Sequence, residues 1–150
     1  MALRIQALLL SLFMSCCAVN IIYAQTPPLL YDRLQDSPAH KEALMAIFRG
    51  VNHPSWLRQY GYSGQGNPGL IVTIEGTKYE YYGVCKPKDC GDNHMVALFA
   101  MGGRQAWALT IEDNNIGYYG KPIGGIREYL RAEARKIYNT IGAPVPPQLR

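Results

Sequence analysis

The sequence has little of what catalysis or metal binding usually requires. It contains three histidines and four cysteines in 150 residues, and no histidine lies in a motif with a candidate nucleophile. A Gly-x-Ser-x-Gly segment, a phosphate-binding glycine loop and a His-Glu-x-x-His segment are all missing. These absences argue against the common classes of serine hydrolase, nucleotide hydrolase and zinc peptidase. We therefore expect a protein that is not an enzyme and that carries no cofactor.

The chain also lacks a large excess of charge of either sign. Lys and Arg number 15 against 11 Asp and Glu, and the net charge of +4 falls to +3 if Arg4 is removed with the leader described next. Proteins that bind nucleic acid usually concentrate basic residues on one surface. A mild excess in an exported protein therefore predicts no nucleic-acid partner.

The first 24 residues predict a secretory signal peptide. Arg4 supplies a basic start, a mostly apolar run follows it, and Ala24 provides a small residue for cleavage. An uncleaved membrane anchor is the alternative, because the apolar run approaches spanning length. Asn20 and the lack of a basic stop signal favour cleavage. We expect a signal peptide over 1–24 and one exported domain over 25–150, with no stable membrane span after cleavage.

Two cysteines, Cys85 and Cys90, remain after the signal peptide is removed. An even pair in an exported protein predicts a disulfide. A zinc site with His94 would instead need two thiolates, and the Cys-x4-Cys spacing exceeds that of common zinc knuckles. Thiol oxidoreductases use Cys-x-x-Cys at the start of a helix. We expect a disulfide and no metal; a secreted thiol or metal enzyme is the alternative from another functional class.

The remaining pattern predicts an α+β fold. Ser37 can cap a helix that starts at Pro38 and ends near Gly50, and apolar residues recur at helical spacing over 126–138. The predicted strands cover 70–74, 77–82, 95–100, 105–111 and 116–119. We expect an antiparallel sheet of about five strands with helices packed on one face.

Several local predictions accompany this fold. Residues 25–36 are expected as a loose arm and residues 143–147 as an extended tail. His40 is expected on the surface of the first helix. The tyrosines of the second strand can bind sugar rings or pack in the sheet, and packing is the commoner role of such residues.

The segment between the two cysteines is a short charged loop, Cys85-Lys86-Pro87-Lys88-Asp89-Cys90. A disulfide across it removes about 2 kcal/mol of unfolded-chain entropy, which is too little to hold the fold together. Its larger effect is local, because Pro87 also fixes one backbone angle. A loop that is ordered in advance loses less entropy on binding. The loop therefore suits insertion into a cleft of another molecule, although a purely structural link between two strand ends is the alternative.

This loop resembles the signature loop of the bacterial inhibitor of vertebrate lysozyme family, which reads Cys-Lys-Pro-His-Asp-Cys in its best-known form. The resemblance extends to His53-Pro54-Ser55-Trp56, similar to the family's Pro-x-Trp segment, to the strand pair 70–82, and to Gly91. It implies a periplasmic protein of a Gram-negative bacterium with an α+β fold, often a homodimer. It also implies that the loop 85–90 plugs the active-site cleft of c-type lysozyme, and that bacterial lytic transglycosylases are possible further partners.

The chain departs from the family pattern at Lys88, where the resemblance implies the histidine that reaches the two catalytic carboxyl groups. An ammonium offers three donors and a full charge, so it can meet a carboxylate pair. It is more flexible, more strongly hydrated and charged at every ordinary pH. The departure leaves an alternative open: a relative that does not inhibit lysozyme but binds a lytic transglycosylase or another cell-wall ligand through the same loop.

Overall fold

A computed structural model describes residues 26–150, and the predicted signal peptide lies outside them. Three helices precede the six strands, and a fourth helix follows the strands. The helices are α1 (Leu30–Asp36), α2 (Pro38–Phe48), α3 (Ser55–Gln59) and α4 (Gly124–Ile141), and a short 3-10 helix follows at Pro147–Leu149. The strands are β1 (Gln65–Gly66), β2 (Leu70–Ile74), β3 (Thr77–Cys85), β4 (Asn93–Ala100), β5 (Ala106–Glu112) and β6 (Asn115–Tyr119). None of the helices within 26–150 is both long and apolar enough to cross a bilayer.

All strand pairs in the sheet are antiparallel. β3, β4, β5 and β6 follow one another in chain order, and β1 and β2 both pair with β3 along different parts of its length. The five predicted strands are present, and β1 adds a short sixth. The α+β class and the antiparallel sheet are thus confirmed.

Helices cover both faces of the sheet, so the prediction of a single covered face is wrong. One face meets α1, α2 and α3 through alternate residues of the central strands, namely Tyr82, Val84, Met95, Ala97, Phe99, Ala106 and Ala108. The other face meets α4 through the residues between them, which include Val96, Leu98, Trp107 and Leu109. Strands that are buried on both faces are apolar at successive positions. The continuous apolar run 95–100 is the sequence feature that reflects this arrangement.

The ends of the domain are more ordered than the sequence predicts. The expected loose arm contains α1, because Leu30 and Leu34 share one helix face and are only 2% and 5% exposed. At the other end, Leu149 is fully buried beside α4. Prolines and polar residues favour loose segments, but a few apolar residues attach each of these segments to the core. Val51 follows the end of α2 and is exposed.

A buried polar cluster links α2 to β3, and it contains His40, which the sequence predicts as exposed. His40 is 3% exposed and Glu80 is equally buried. The Ser37 hydroxyl, which also caps α2, lies 2.7 Å from Nδ1 of His40. The Glu80 carboxylate accepts from the Tyr82 hydroxyl at 2.9 Å and pairs with Arg33 at 3.1 Å. Burial is tolerated because each polar group has a partner.

Candidate functional site

The charged loop connects β3 to β4 at one end of the sheet. Cys85 is the last residue of β3 and pairs with His94 near the start of β4. The sulfurs of Cys85 and Cys90 are bonded, with their Cα atoms 5.1 Å apart, so the predicted disulfide is confirmed. It joins the strand end to the far side of the turn. The loop is therefore held by a covalent bond and by the sheet.

Asp89 is the centre of the hydrogen bonds inside this loop. Its Oδ2 accepts from Nζ of Lys86 at 2.7 Å and from Nδ2 of Asn93 at 2.9 Å. The backbone adds two further bonds, from the N–H of Asp89 to the Lys86 carbonyl and from the N–H of Lys86 to the Asn93 carbonyl, both at 3.0 Å. Asn93 is 4% exposed. The loop is thus fixed to a buried side chain at the start of β4.

Lys88 differs from its neighbours in the loop. It is the one exposed residue between Cys85 and Cys90, whose other members are partly buried. Its φ of 67° lies in the left-handed region, which is uncommon for a residue other than glycine. Within the described residues its side chain makes no ion pair or hydrogen bond. The loop therefore presents one ammonium at its tip on a rigid base.

The two lysines of the loop have different electrostatic surroundings. The hydrogen bond that the Lys86 ammonium donates to the Asp89 carboxylate raises the pKa of Lys86 above its ordinary value, and desolvation opposes this only in part. Lys86 and Asp89 therefore neutralise each other within the loop. Lys88 carries the remaining positive charge to the tip. An anionic target would meet this charge first.

The base of the loop rests on the segment that begins with the predicted Pro-x-Trp motif. Trp56 is 2% exposed in the core on the α1–α3 face. Gly64 lies between it and the loop, so closely that a Cβ there would stand 2.5 Å from the Cys85 carbonyl oxygen and 3.1 Å from the Trp56 ring. Gln65 then pairs with Cys85. The two motifs that carry the sequence resemblance are therefore in one structural unit.

His94 faces a different environment from the loop tip. Burial lowers its pKa, while hydrogen bonds to backbone and the nearby Asp92 oppose this only partly. It lines a small cavity of about 100 Å³ with Tyr138. No group of three or more His, Cys, Asp or Glu within 26–150 is arranged to hold a metal ion, and both sulfurs are in the disulfide. Neither sulfur is therefore present beside His94 as a thiolate.

The tyrosines of β3 pack against other residues of the domain. Tyr79 contacts Trp107 edge to face, and Tyr81 contacts Tyr129 in the same way, each at 5.9 Å between ring centroids. Tyr82 is 1% exposed. Packing is thus their observed role.

The sequence matches a known protein family. The family model described as inhibitor of vertebrate lysozyme (Ivy) matches residues 39–140, which is more than half of the chain. The chain belongs to this family. The Ivy match begins one residue into α2 and ends one residue before the end of α4, so it includes the whole disulfide loop. The family name describes protein inhibitors and not enzymes.

Two relatives are similar to this chain over most of their own length. A protein of Pseudomonas aeruginosa named inhibitor of vertebrate lysozyme is 28% identical over 122 residues, which cover 71% of this chain and 78% of the relative. An uncharacterized protein of Yersinia pestis is 28% identical over 130 residues, which cover 77% of this chain and 82% of the relative. Both matches extend over most of this chain.

Some of the loop's support could not be read from the sequence. Asn93 follows the second cysteine by three positions and resembles any polar residue at a strand start. Its contact with Asp89 depends on the register of β3 and β4, which places Cys85 beside His94. The predicted loop residues 85–90 do come together in one turn. The fixed base and exposed tip within that turn are visible only in three dimensions.

Proposed function

We propose that this protein inhibits c-type lysozyme by inserting the loop 85–90 into the active-site cleft. The single observation that carries the proposal is the exposure of Lys88 at the tip of a loop whose other charges are internally paired. Lysozyme cleaves glycan with two carboxyl groups in a cleft (they are the type case of this chemistry). An ammonium can donate to both. The relative named as a lysozyme inhibitor supports the same target.

Binding by this loop needs little reorganisation. The disulfide, Pro87 and the Asp89 hydrogen bonds hold the backbone before the partner arrives. Only the Lys88 side chain loses substantial rotamer freedom on insertion. The inhibition is non-covalent, since the loop presents an ammonium and no free thiolate.

The test compares Lys88→Ala with Lys78→Ala, which removes an exposed lysine near the start of β3. Truncating a hot-spot residue of an interface costs about 2 kcal/mol or more, or roughly thirtyfold in affinity. We expect that loss of inhibition for Lys88→Ala and none for Lys78→Ala, measured by lysis of bacterial cells with hen-type lysozyme. Lys88→His, which restores the family's residue, should keep inhibition. If Lys88→Ala inhibits as well as the parent, Lys88 is not the inserting residue.

A second candidate target follows from Lys88 itself. Its permanent charge, where the family has histidine, also suits a bacterial lytic transglycosylase with an acidic cleft. Purified exported protein that slows a transglycosylase but no c-type lysozyme would favour this alternative. Inhibition of neither enzyme would contradict both proposals.

We also propose that the protein acts in the periplasm of a Gram-negative bacterium. The leader predicted over 1–24 and the disulfide both suit export, because disulfides persist in oxidising compartments. Fractionation of cells, followed by mass spectrometry of the N-terminus, should find the chain in the periplasm and starting at Gln25. Size measurement of the same material tests whether it is a homodimer.

A further inference from the structure

An open groove of about 730 Å³ crosses the edge of the sheet at β6. One wall comes from the end of α2 and the residues after it, and the other includes Arg127 of α4, which lies on the opposite face of the sheet. The volume is within the range of about 300–1,000 Å³ that binding clefts occupy. β6 is the sheet edge opposite β1 and β2. The groove is therefore separate from the base of the disulfide loop.

The groove is positively charged. Arg49, Lys121 and Arg127 line it, and no acidic residue does. Arg49 pairs with Glu42 outside the groove at 2.8 Å, but both side chains are 68% exposed, so that pair is weak. The Arg127 guanidinium lies 4.7 Å from the centroid of the Tyr118 ring. This arrangement favours an anionic ligand.

The backbone of β6 is also open along the groove. β6 pairs only with β5 within the described residues. The two strands meet through a two-residue turn, Asp113-Asn114, with φ values of 48° and 67°, and Glu112 pairs with Asn115 across it. In such a hairpin the pair next to the turn, here Glu112 and Asn115, is hydrogen-bonded. Every second residue of β6 after Asn115 is hydrogen-bonded to β5 in the same way. The N–H and C=O groups of Ile116 and Tyr118 therefore point away from β5, toward an added strand.

We infer that the β6 edge binds an extended acidic peptide segment of another protein, which adds to the sheet as a further strand. Side chains of a strand alternate between the two faces. The groove has Arg49 on the α2 side and Arg127 on the α4 side. Two adjacent acidic residues of the added strand would reach one arginine each, and Lys121 would meet a third anion beyond the end of β6. Main-chain pairing supplies affinity in this mode and the side chains supply specificity.

The test uses a short fluorescein-labelled peptide with two adjacent glutamates flanked by valine and threonine, titrated with the full exported protein. We expect binding that weakens with added salt and by about threefold in Arg127→Gln or Lys121→Gln, with a larger loss in the double variant. Arg104→Gln removes the same charge from the exposed β4–β5 turn and should leave binding unchanged. Thermal unfolding checks that every variant is folded.

Two further peptides separate strand addition from simple charge attraction. A version N-methylated at alternate residues loses the hydrogen bonds to the edge and should not bind, and a version with lysine for glutamate should not bind either. Equal binding of all three peptides, no binding of the glutamate peptide, or a second copy of the chain occupying β6 in solution would overturn the inference. Lysozyme inhibition should be unchanged in Lys121→Gln, so this inference and the proposed function fail independently.

Discussion

Nε2 of His40 lies 3.1 Å from Oε1 of Glu80, and both residues are at most 3% exposed. The contact joins α2 to the fourth residue of the sheet's longest strand, β3. Glu80 also accepts from Tyr82 and pairs with Arg33. Its carboxylate is therefore the shared partner of three side chains, and each of them loses this contact when Glu80 is removed.

We predict that Glu80→Ala lowers the free energy of unfolding by about 3 kcal/mol, since removing one partner of a buried pair costs about 3–5 kcal/mol and Arg33 retains some solvent contact. Glu42→Ala removes the exposed partner of Arg49 and should cost less than about 1 kcal/mol. Urea unfolding followed by circular dichroism measures both. Equal losses in the two variants would contradict a special role for the buried cluster.

Neighbouring glycines in the β4–β5 turn allow a matched test of the same cluster. Gly102 and Gly103 have φ values of 79° and 72°, so alanine at either is strained by about 1–2 kcal/mol. A Cβ at Gly102 meets nothing within 4 Å, whereas a Cβ at Gly103 would stand 2.4 Å from Nδ1 of His40. We predict that Gly103→Ala is the more destabilising variant in urea unfolding. A smaller or equal loss would show that His40 moves freely.

The pKa of His94 predicts a pH dependence of stability. Burial lowers this pKa in the folded protein below its unfolded value of about 6.5. Between these two pKa values the unfolded chain binds more protons than the folded chain. The free energy of unfolding therefore falls as pH drops below about 6.5, and it stops falling once pH is below the folded pKa. We expect the free energy of unfolding to fall less between pH 7.5 and 5 in His94→Gln than in the parent. Parallel curves would refute this contribution.

Asp89 offers a test of the loop's internal support. Asp89→Ala leaves Lys86 and Asn93 without their shared acceptor, so more backbone entropy is lost when the loop binds. We predict about tenfold weaker lysozyme inhibition, equivalent to about 1.4 kcal/mol. We also expect a loss of about 1 kcal/mol in stability, because the buried Asn93 amide loses its acceptor. Asp92→Ala, two positions outside the disulfide, is the control. Unchanged inhibition in Asp89→Ala would mean that the disulfide alone orders the loop.

The sequence predicted the strands and the disulfide well because their signals are local. Turn residues and apolar runs mark each strand, and a cysteine pair in a chain that is predicted to be exported has few other roles. Helix placement on two faces was missed, although the uninterrupted apolar run of β4 carried that information. The burial of His40 was missed for a different reason. Its partner Glu80 is 40 residues away, and no local pattern reports such a contact.

The candidate site was predicted as a set of residues and not as an arrangement. Lys86 and Lys88 are chemically equal in the sequence, and both are near Asp89. The turn geometry decides between them, because Lys86 folds back onto Asp89 and Lys88 does not. The family resemblance points to Lys88 by its place in the loop. The exposure of Lys88 supports the proposal that it is the inserting residue.

The hydrogen bonds that hold the loop are all made among Lys86, Asp89 and Asn93, together with the disulfide, and Lys88 takes part in none of them. Position 88 can therefore change in evolution, or by design, without loss of the framework that displays it. The same independence makes the segment 84–94 suitable for grafting. An antiparallel strand pair that reproduces the Cys85–His94 register would preserve the disulfide and the hydrogen bonds made within this segment.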